Sequence, residues 1–366
     1  MDTIVDVFNK VLAKGVEMKA SDIHLCVGST WKYRVNGHIT PLDIKPLEMN
    51  ECETIVRHIL SNSPSFPKED IEPTVSRLLD LDCSYMLRGV SRFRVNMCRQ
   101  RGSFSIVLRV VPFDIPTIES LNLPAVVKDI ALEERGLILV TGITGSGKST
   151  TLASMIHMVN EKKPCKIVTI EDPIEYLHKE EKASIIQREV GFDTESFPVA
   201  LRAALRQDPD VILVGEMRDT ITIEIALKAA ETGHLVMSTL HTTDAPRTIQ
   251  RIISAFDLSE QKTIRNRLAD SLKAVISQRL LRRKDNGGRV AVVEIMRNTL
   301  TIKDCIENPE KTDSIKDFMS SGRDQYGMQT FDQHLMDLFN QDVIDLETAK
   351  AAATSASDFE RNVTFN

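Results

Sequence analysis

The run Gly142-Ile143-Thr144-Gly145-Ser146-Gly147-Lys148-Ser149 constrains this chain more than any other. It fits the spacing G-x-x-x-x-G-K-[ST], follows the apolar stretch 136–140 and precedes the helical pattern TTLASMIHMVN. In that order of strand, glycine loop and helix, backbone N–H groups can converge on phosphate oxygens. The helix N-terminus adds a partial positive charge. The phosphate-binding candidates are therefore Gly142, Thr144, Gly145, Ser146, Gly147, Lys148, Ser149 and Thr150. Lys148 is expected to reach the β- and γ-phosphates, and the Ser149 hydroxyl to ligate Mg²⁺.

The text around the loop fits the same architecture. Short apolar runs at 137–140, 167–170, 211–214, 235–240 and 290–293 alternate with helical patterns. Such runs suit buried parallel strands, and the alternation argues for an α/β layered fold. Ligands in open α/β sheets gather at the carboxyl ends of strands. Two acidic groups are expected there. Glu171, Asp172 and Glu175 follow the run 167–170, placed to hold Mg²⁺-bound water or polarise the attacking water, or simply to form a polar strand end. Glu216 ends the run 211–214 and resembles a Walker-B acid that orients water in line, with Gly215 allowing close backbone approach. A third strand, 235–240, delivers His241 to the same edge to sense the γ-phosphate, and His234 precedes it. His24, His38, His157 and His178 read as ordinary structural histidines.

Three prolines, Pro112, Pro116 and Pro124, punctuate an aperiodic stretch. They divide the 366 residues into a domain at 1–111, a linker at 112–124 and a domain at 125–366 whose part beyond about 300 is helical. The first domain reads α+β. Ile4, Val7, Phe8, Val11 and Leu12 recur at helical spacing, and Asn36-Gly37 signals a hairpin. Strand alternation puts Arg94 and Arg109 opposite the apolar faces of their strands. On residues alone this is a solvated sheet face.

Composition narrows the function. The formal net charge is -6, which argues against nucleic acid as the partner. No apolar run approaches the roughly 20 residues of a membrane span. The N-terminus lacks the apolar stretch of a signal peptide, and the six cysteines form no C-x-x-C pair. Reduced thiols and a cytoplasmic location are expected.

The four segments GITGSGKST, VTIEDPIEY, RQDPDVILVGEMRD and ETGHLVMSTLHTT, in this order, resemble the type II/IV secretion ATPase superfamily. Among its branches, the chain looks most like the type IV pilus retraction ATPases, the PilT/PilU family. Residues 20–25, 91–96 and 327–332 resemble that family's other signatures. The resemblance implies a PAS-like N-terminal domain and a RecA-like P-loop NTPase domain that binds ATP and Mg²⁺. It also implies a homohexameric ring that powers pilus disassembly through an inner-membrane platform protein, at the cytoplasmic face of that membrane. By the same resemblance Arg94 and Arg109 fall on arginine fingers, Glu216 on the Walker-B glutamate, Glu171, Asp172 and Glu175 on the acidic box, and His234 and His241 on the His box. The absence of a four-cysteine module favours the retraction branch. The run from Glu294 to Thr301 departs from the run common in principal retraction motors and looks more like the accessory members. A ring subunit that assists another pilus ATPase and hydrolyses little is the alternative.

Overall fold

The computed structural model describes residues 3–35, 37–63, 68–111, 114–285 and 287–365. Asn36 of the expected hairpin turn and Pro112 of the expected linker lie outside the described residues. The chain forms two compact units. One comprises Met1–Asp114 with the short segments Pro173–Leu177 and Gly191–Asp193; the other holds the rest.

The first unit is an antiparallel sheet backed by helices. Its strands are β1 (Asp22–Cys26), β2 (Lys32–Val35), β3 (His38–Pro41), β4 (Asp80–Leu87), β5 (Ser91–Gln100) and β6 (Ser103–Val111), ordered β3-β2-β1-β6-β5-β4. Val35 pairs with His38, so β2 and β3 form the hairpin that the sequence signals. The helix Ile4–Glu17 starts at Thr3, whose hydroxyl accepts from the Asp6 amide while the Asp6 carboxylate accepts from the Thr3 amide. Such a cap contributes about 1 kcal/mol. That helix buries Phe8, Val11 and Leu12 against Trp31, Tyr33, Phe93 and Phe104. Each large apolar side chain so buried contributes about 1.5–3 kcal/mol. On β5 and β6 the alternation holds: Phe93, Val95, Ile106 and Leu108 are buried, and Arg94 and Arg109 are exposed.

The second unit carries a seven-stranded sheet. Its strands are β7 (Gly136–Thr141), β8 (Lys166–Glu171), β9 (Ser184–Glu189), β10 (Val211–Val214), β11 (Leu235–Leu240), β12 (Leu272–Arg282) and β13 (Arg289–Arg297), ordered β13-β12-β7-β11-β10-β8-β9. The five pairs from β12 to β9 are parallel. Helices cover both faces, as parallel sheets require. Alternate residues of β7 divide between the two cores: Leu137 and Leu139 pack on one side, Ile138 and Val140 on the other.

Two features depart from the sequence reading. The run 290–293 lies in β13, which is antiparallel to β12, because a short turn rather than a helix joins them. Residues 115–124, read as linker, run with the second unit, where Ile118 and Leu123 are buried. The C-terminal stretch is helical, as read for the part beyond about 300, and its helix Ala356–Phe365 is anchored by the buried Phe359. All six cysteines are thiols outside any disulfide; Cys52 and Cys305 are buried and the other four half-buried. Among the described residues no helix is long and apolar enough to cross a membrane.

Candidate nucleotide site

The phosphate loop leaves the carboxyl end of β7 and enters the helix Lys148–Lys162. Two of its glycines are required by close packing. A Cβ on Gly142 (φ +147°) would lie 2.4 Å from the Gln278 carbonyl and 2.5 Å from Ser146 Oγ. A Cβ on Gly147 (φ +90°) would lie 2.7 Å from Gln278 Nε2. Gly147 is the helix N-cap and offers no side chain to the first turn. Among the described residues, the amides of Gly145, Gly147, Lys148 and Ser149 donate to no carbonyl. Ser146 Oγ is buried without a hydrogen-bond partner among them. These unsatisfied donors, in a curve closed by positive-φ glycines, fit an anionic phosphate chain.

Lys148 is folded into that curve. Its Nζ donates to the carbonyls of Gly142 (2.9 Å) and Ile143 (3.0 Å), and the residue is only 8 % exposed. Burial holds its ammonium below the usual lysine range, and the field of Glu216 opposes that shift. The loop thus carries a desolvated positive charge, where electrostatic attraction is stronger than in water.

The acids meet the loop edge as the strand order requires. β8 and β10 are neighbours, and the Gly215 amide donates to the Ile170 carbonyl at 2.7 Å. A Cβ on Gly215 would lie 3.3 Å from Glu171 Cα, so the glycine allows the two acidic strand tips to approach. Glu171 is held by Thr169 Oγ1, which donates to its Oε1 at 2.7 Å, and by Gln187 Nε2 at 3.3 Å. Glu216 is almost fully buried. His241 Nε2 lies 3.6 Å from its Oε2, so the tips of β10 and β11 bring these two expected residues together. Thr239 Oγ1 donates to the Gly215 carbonyl at 2.7 Å and locks the two tips in register.

His234 does not share this site. It precedes β11, while the loop lies beyond the other end of the parallel strand β7, and the Gly136 amide donates to the His234 carbonyl. Six strand residues intervene, about 20 Å at 3.3 Å per residue. Its Nδ1 lies 2.9 Å from the Ala229 carbonyl, so it serves the end of the helix Thr220–Glu231. Assigning it to the nucleotide is corrected accordingly: its closeness to His241 in sequence is undone by the extended strand between them.

The expected metal ligands are not preassembled. Ser149, Asp172 and Glu175 are exposed, and neither acid hydrogen-bonds the phosphate loop among the described residues. Glu175 belongs to the segment that groups with the first unit. Mg²⁺ is normally held by one or two protein oxygens together with substrate phosphates and waters. Ser149 Oγ at the first turn of the helix suits that role. His157, Glu161 and Glu181 are the one group of three clustered donors among the described residues, their ligand atoms within 4.8 Å of one another, and they stand apart from the expected set.

Arg94 and Arg109 lie directly opposite each other on β5 and β6. The sequence reading missed the acid that pairs with Arg109. Asp22 on β1 faces Arg109 on one side and Arg34 on the other. Its carboxylate accepts from Arg109 Nε at 3.0 Å, lies 3.7 Å from Arg34 Nε and accepts from Ser21 Oγ at 2.8 Å. A row Arg34–Asp22–Arg109–Arg94 thus crosses four strands of the first unit. Arg218 is a second omission. Its Nε lies 2.6 Å from Glu216 Oε2, covering the carboxylate expected to orient water. The signal for Arg218 was the run GEMRD itself; the partner of Arg109 lay 87 residues away. Gln278, packed on both glycines, sits in no local pattern.

A cavity of about 480 Å³ opens beside the loop, lined by Gly147, Thr150, Thr151, Gln278, Leu280 and Arg289 among others. It offers room for the part of a ligand that extends beyond the phosphates.

Comparison with known proteins shows the family. The family described as type II/IV secretion system protein matches residues 1–359. The type IV pilus retraction ATPase PilT of Pseudomonas aeruginosa is 42% identical over 96% of this chain and 99% of its own length. The type IV pilus ATPase PilU of the same organism is 39% identical over 96% of this chain and 90% of its own. A crystal structure of the pilus retraction motor PilT with bound ADP superposes with a TM-score of 0.86, at 42% identity, covering 96% of this chain and 98% of that one.

Proposed function

The chain belongs to the type II/IV secretion system protein family and, within it, to the PilT/PilU group, and from that premise we propose that it is an ATP-hydrolysing motor for type IV pilus retraction. The observation that carries the reading is the phosphate loop with Lys148 at its centre and Glu216 beside His241 at the neighbouring strand tips. Phosphoryl transfer is mostly positioning and charge stabilisation, and these residues supply both.

In this reading the loop amides and Lys148 hold the phosphate chain, and Ser149 contributes a hydroxyl to Mg²⁺. Mg²⁺, when bound, neutralises charge developing between the β- and γ-phosphates. Glu216 orients the attacking water once Arg218 yields its carboxylate, and Glu171 supports it from β8. His241 responds to the γ-phosphate and passes its state to Glu216. Arg94 and Arg109 add positive charge during hydrolysis, an effect worth a factor of about 10³–10⁵ in the best cases. Fingers supplied by a neighbouring copy need a ring, so the working form is a homohexamer at the cytoplasmic face of the inner membrane, engaging a platform protein. Closed rings use head-to-tail contacts of this kind.

The near-equal identity to PilT and PilU keeps a second reading, an accessory subunit acting with another pilus ATPase. The test is Mg²⁺-dependent ATPase activity of the purified protein, alone and mixed with a second retraction ATPase, together with the phenotype of a deletion strain. Robust activity alone and hyperpiliated, non-twitching cells support the principal motor. Activity only in the mixture supports the accessory subunit. No binding or cleavage of ATP in either setting overturns both.

A further inference from the structure

Gln278 has a place in the site that its sequence position does not announce. It lies on β12, the parallel neighbour of β7, one residue beyond Ser277, which pairs with Thr141. The Thr141 hydroxyl donates to Ser277 Oγ at 3.0 Å, fixing the register at the point where the phosphate loop begins. From there the Gln278 backbone carbonyl packs on Gly142, and its side-chain nitrogen packs on Gly147. One residue thus touches both ends of the loop, and the two glycines are bare where it does so.

The carboxamide is also oriented. Thr151 Oγ1 donates to Gln278 Oε1 at 2.8 Å, which turns Nε2 toward Gly147. The residue is only 3 % exposed, yet Nε2 donates to none of the described residues and borders the cavity of about 480 Å³ beside the loop. A mostly buried amide donor is costly to leave unmade, and it is strongest against a charged acceptor. Arg289 lines the same cavity, as do Arg283 and Asp285, which pair with each other at 2.7 Å, so among the described residues one cation there is left for an anionic ligand.

Resting on the nucleotide-binding reading above, we propose that Gln278 is a nucleotide-contacting residue whose carboxamide N–H donates to an oxygen at the α-phosphate end of the bound nucleotide. The geometry separates its role from that of Lys148. Lys148 holds the distal phosphates from inside the loop's curve. Gln278 approaches from the outer side, past the helix N-cap, where the chain from phosphate to nucleoside leaves the loop.

The test compares ADP with inorganic phosphate, which offers the loop one phosphate and has no α-phosphate end. Gln278→Met removes the donor at similar volume; Gln278→Glu removes it while keeping an acceptor for Thr151. Titration calorimetry with ADP is expected to show affinity about tenfold weaker or more in both variants, the scale of one hydrogen bond to a charged group. Competition by inorganic phosphate should change less than about twofold in Gln278→Met. ADP affinity equal to wild type in both variants overturns the proposal. So does an equal loss for ADP and inorganic phosphate in Gln278→Met, which would mean that the loop itself has been distorted. Thermal unfolding without nucleotide identifies a variant that fails to fold, and the other then carries the test. Lys148→Ala serves as the control: wild-type ADP affinity there would overturn the nucleotide site as a whole, not Gln278 alone.

Discussion

The two sheets of this protein organise charge in opposite ways. The antiparallel sheet of the first unit sets its charges in a row across the strands, with Arg34, Asp22, Arg109 and Arg94 side by side on one face. The parallel sheet of the second unit buries its strands on both faces and can place charge only beyond their ends. There Lys148, Glu171, Glu216 and His241 collect at one edge. The first arrangement depends on register, because a one-residue slip would turn every arginine into the core. The second depends on strand order, because it works only while β7, β11, β10 and β8 stay neighbours.

The strongest way to break the comparison is to remove a cation from the row. Arg109→Ala should lower kcat by about 10²-fold or more if the row serves hydrolysis, with nucleotide affinity little changed. Steady-state kinetics at saturating ATP and a binding titration separate the two. An unchanged kcat would reduce the row to a solvated sheet face.

The row also has a structural cost when its acid is lost. Asp22 is 6 % exposed and lies between two arginines. Asp22→Ala should destabilise the protein by about 1 kcal/mol, because Arg109 and Arg34 are solvent-facing and stay hydrated when the acid is lost. Denaturant titration measures this. Asp22→Asn keeps one acceptor oxygen for Arg109 and should cost less.

At the other sheet, Glu294 on β13 shows how deeply the edge is built. It is 2 % exposed, accepts from the Ala245 amide at 2.8 Å and is raised to about 7, chiefly by burial. Its folded-state pKa lies above its unfolded value, so the folded protein holds a proton that the unfolded chain releases. Stability therefore falls as pH rises from about 4.5 to about 7, by about 3 kcal/mol in all. Glu294→Gln should flatten that slope and raise the melting temperature at pH 8, as calorimetric scans across pH would show. An unaltered slope would assign it to other groups.

The smallest effect divides one strand. His241→Ala should lower kcat about tenfold through Glu216, less than the roughly 10²–10⁴ of a group that itself transfers the proton. His234→Ala, at the far end of β11, should leave kcat within about twofold of wild type after correction for unfolded protein. Equal losses would mean that the two ends communicate.

How much of this was legible in the sequence follows from the range of each interaction. The phosphate loop is local, so its glycines, Lys148 and Ser149 were readable residue by residue. The exposed placement of Arg94 and Arg109 needed only period-two alternation. Asp22 was hidden because its pairing with Arg109 spans 87 residues and depends on the β1–β6 register. The strand β12 was hidden because it begins directly after a helix ending at Ser271, with no glycine or proline between them. With β12 went Gln278 and the direction of β13. His234 was grouped with His241 by the family resemblance, although the strand 235–240 already read between them sets the two histidines at opposite ends of β11.

Glu216→Gln tests the central claim most directly, that a phosphate-holding loop and an acid at the adjacent strand tip form one hydrolytic site. The account predicts that the purified variant binds ATP with wild-type affinity while steady-state turnover falls by about 10²–10⁴-fold. Full turnover with unchanged binding would contradict it.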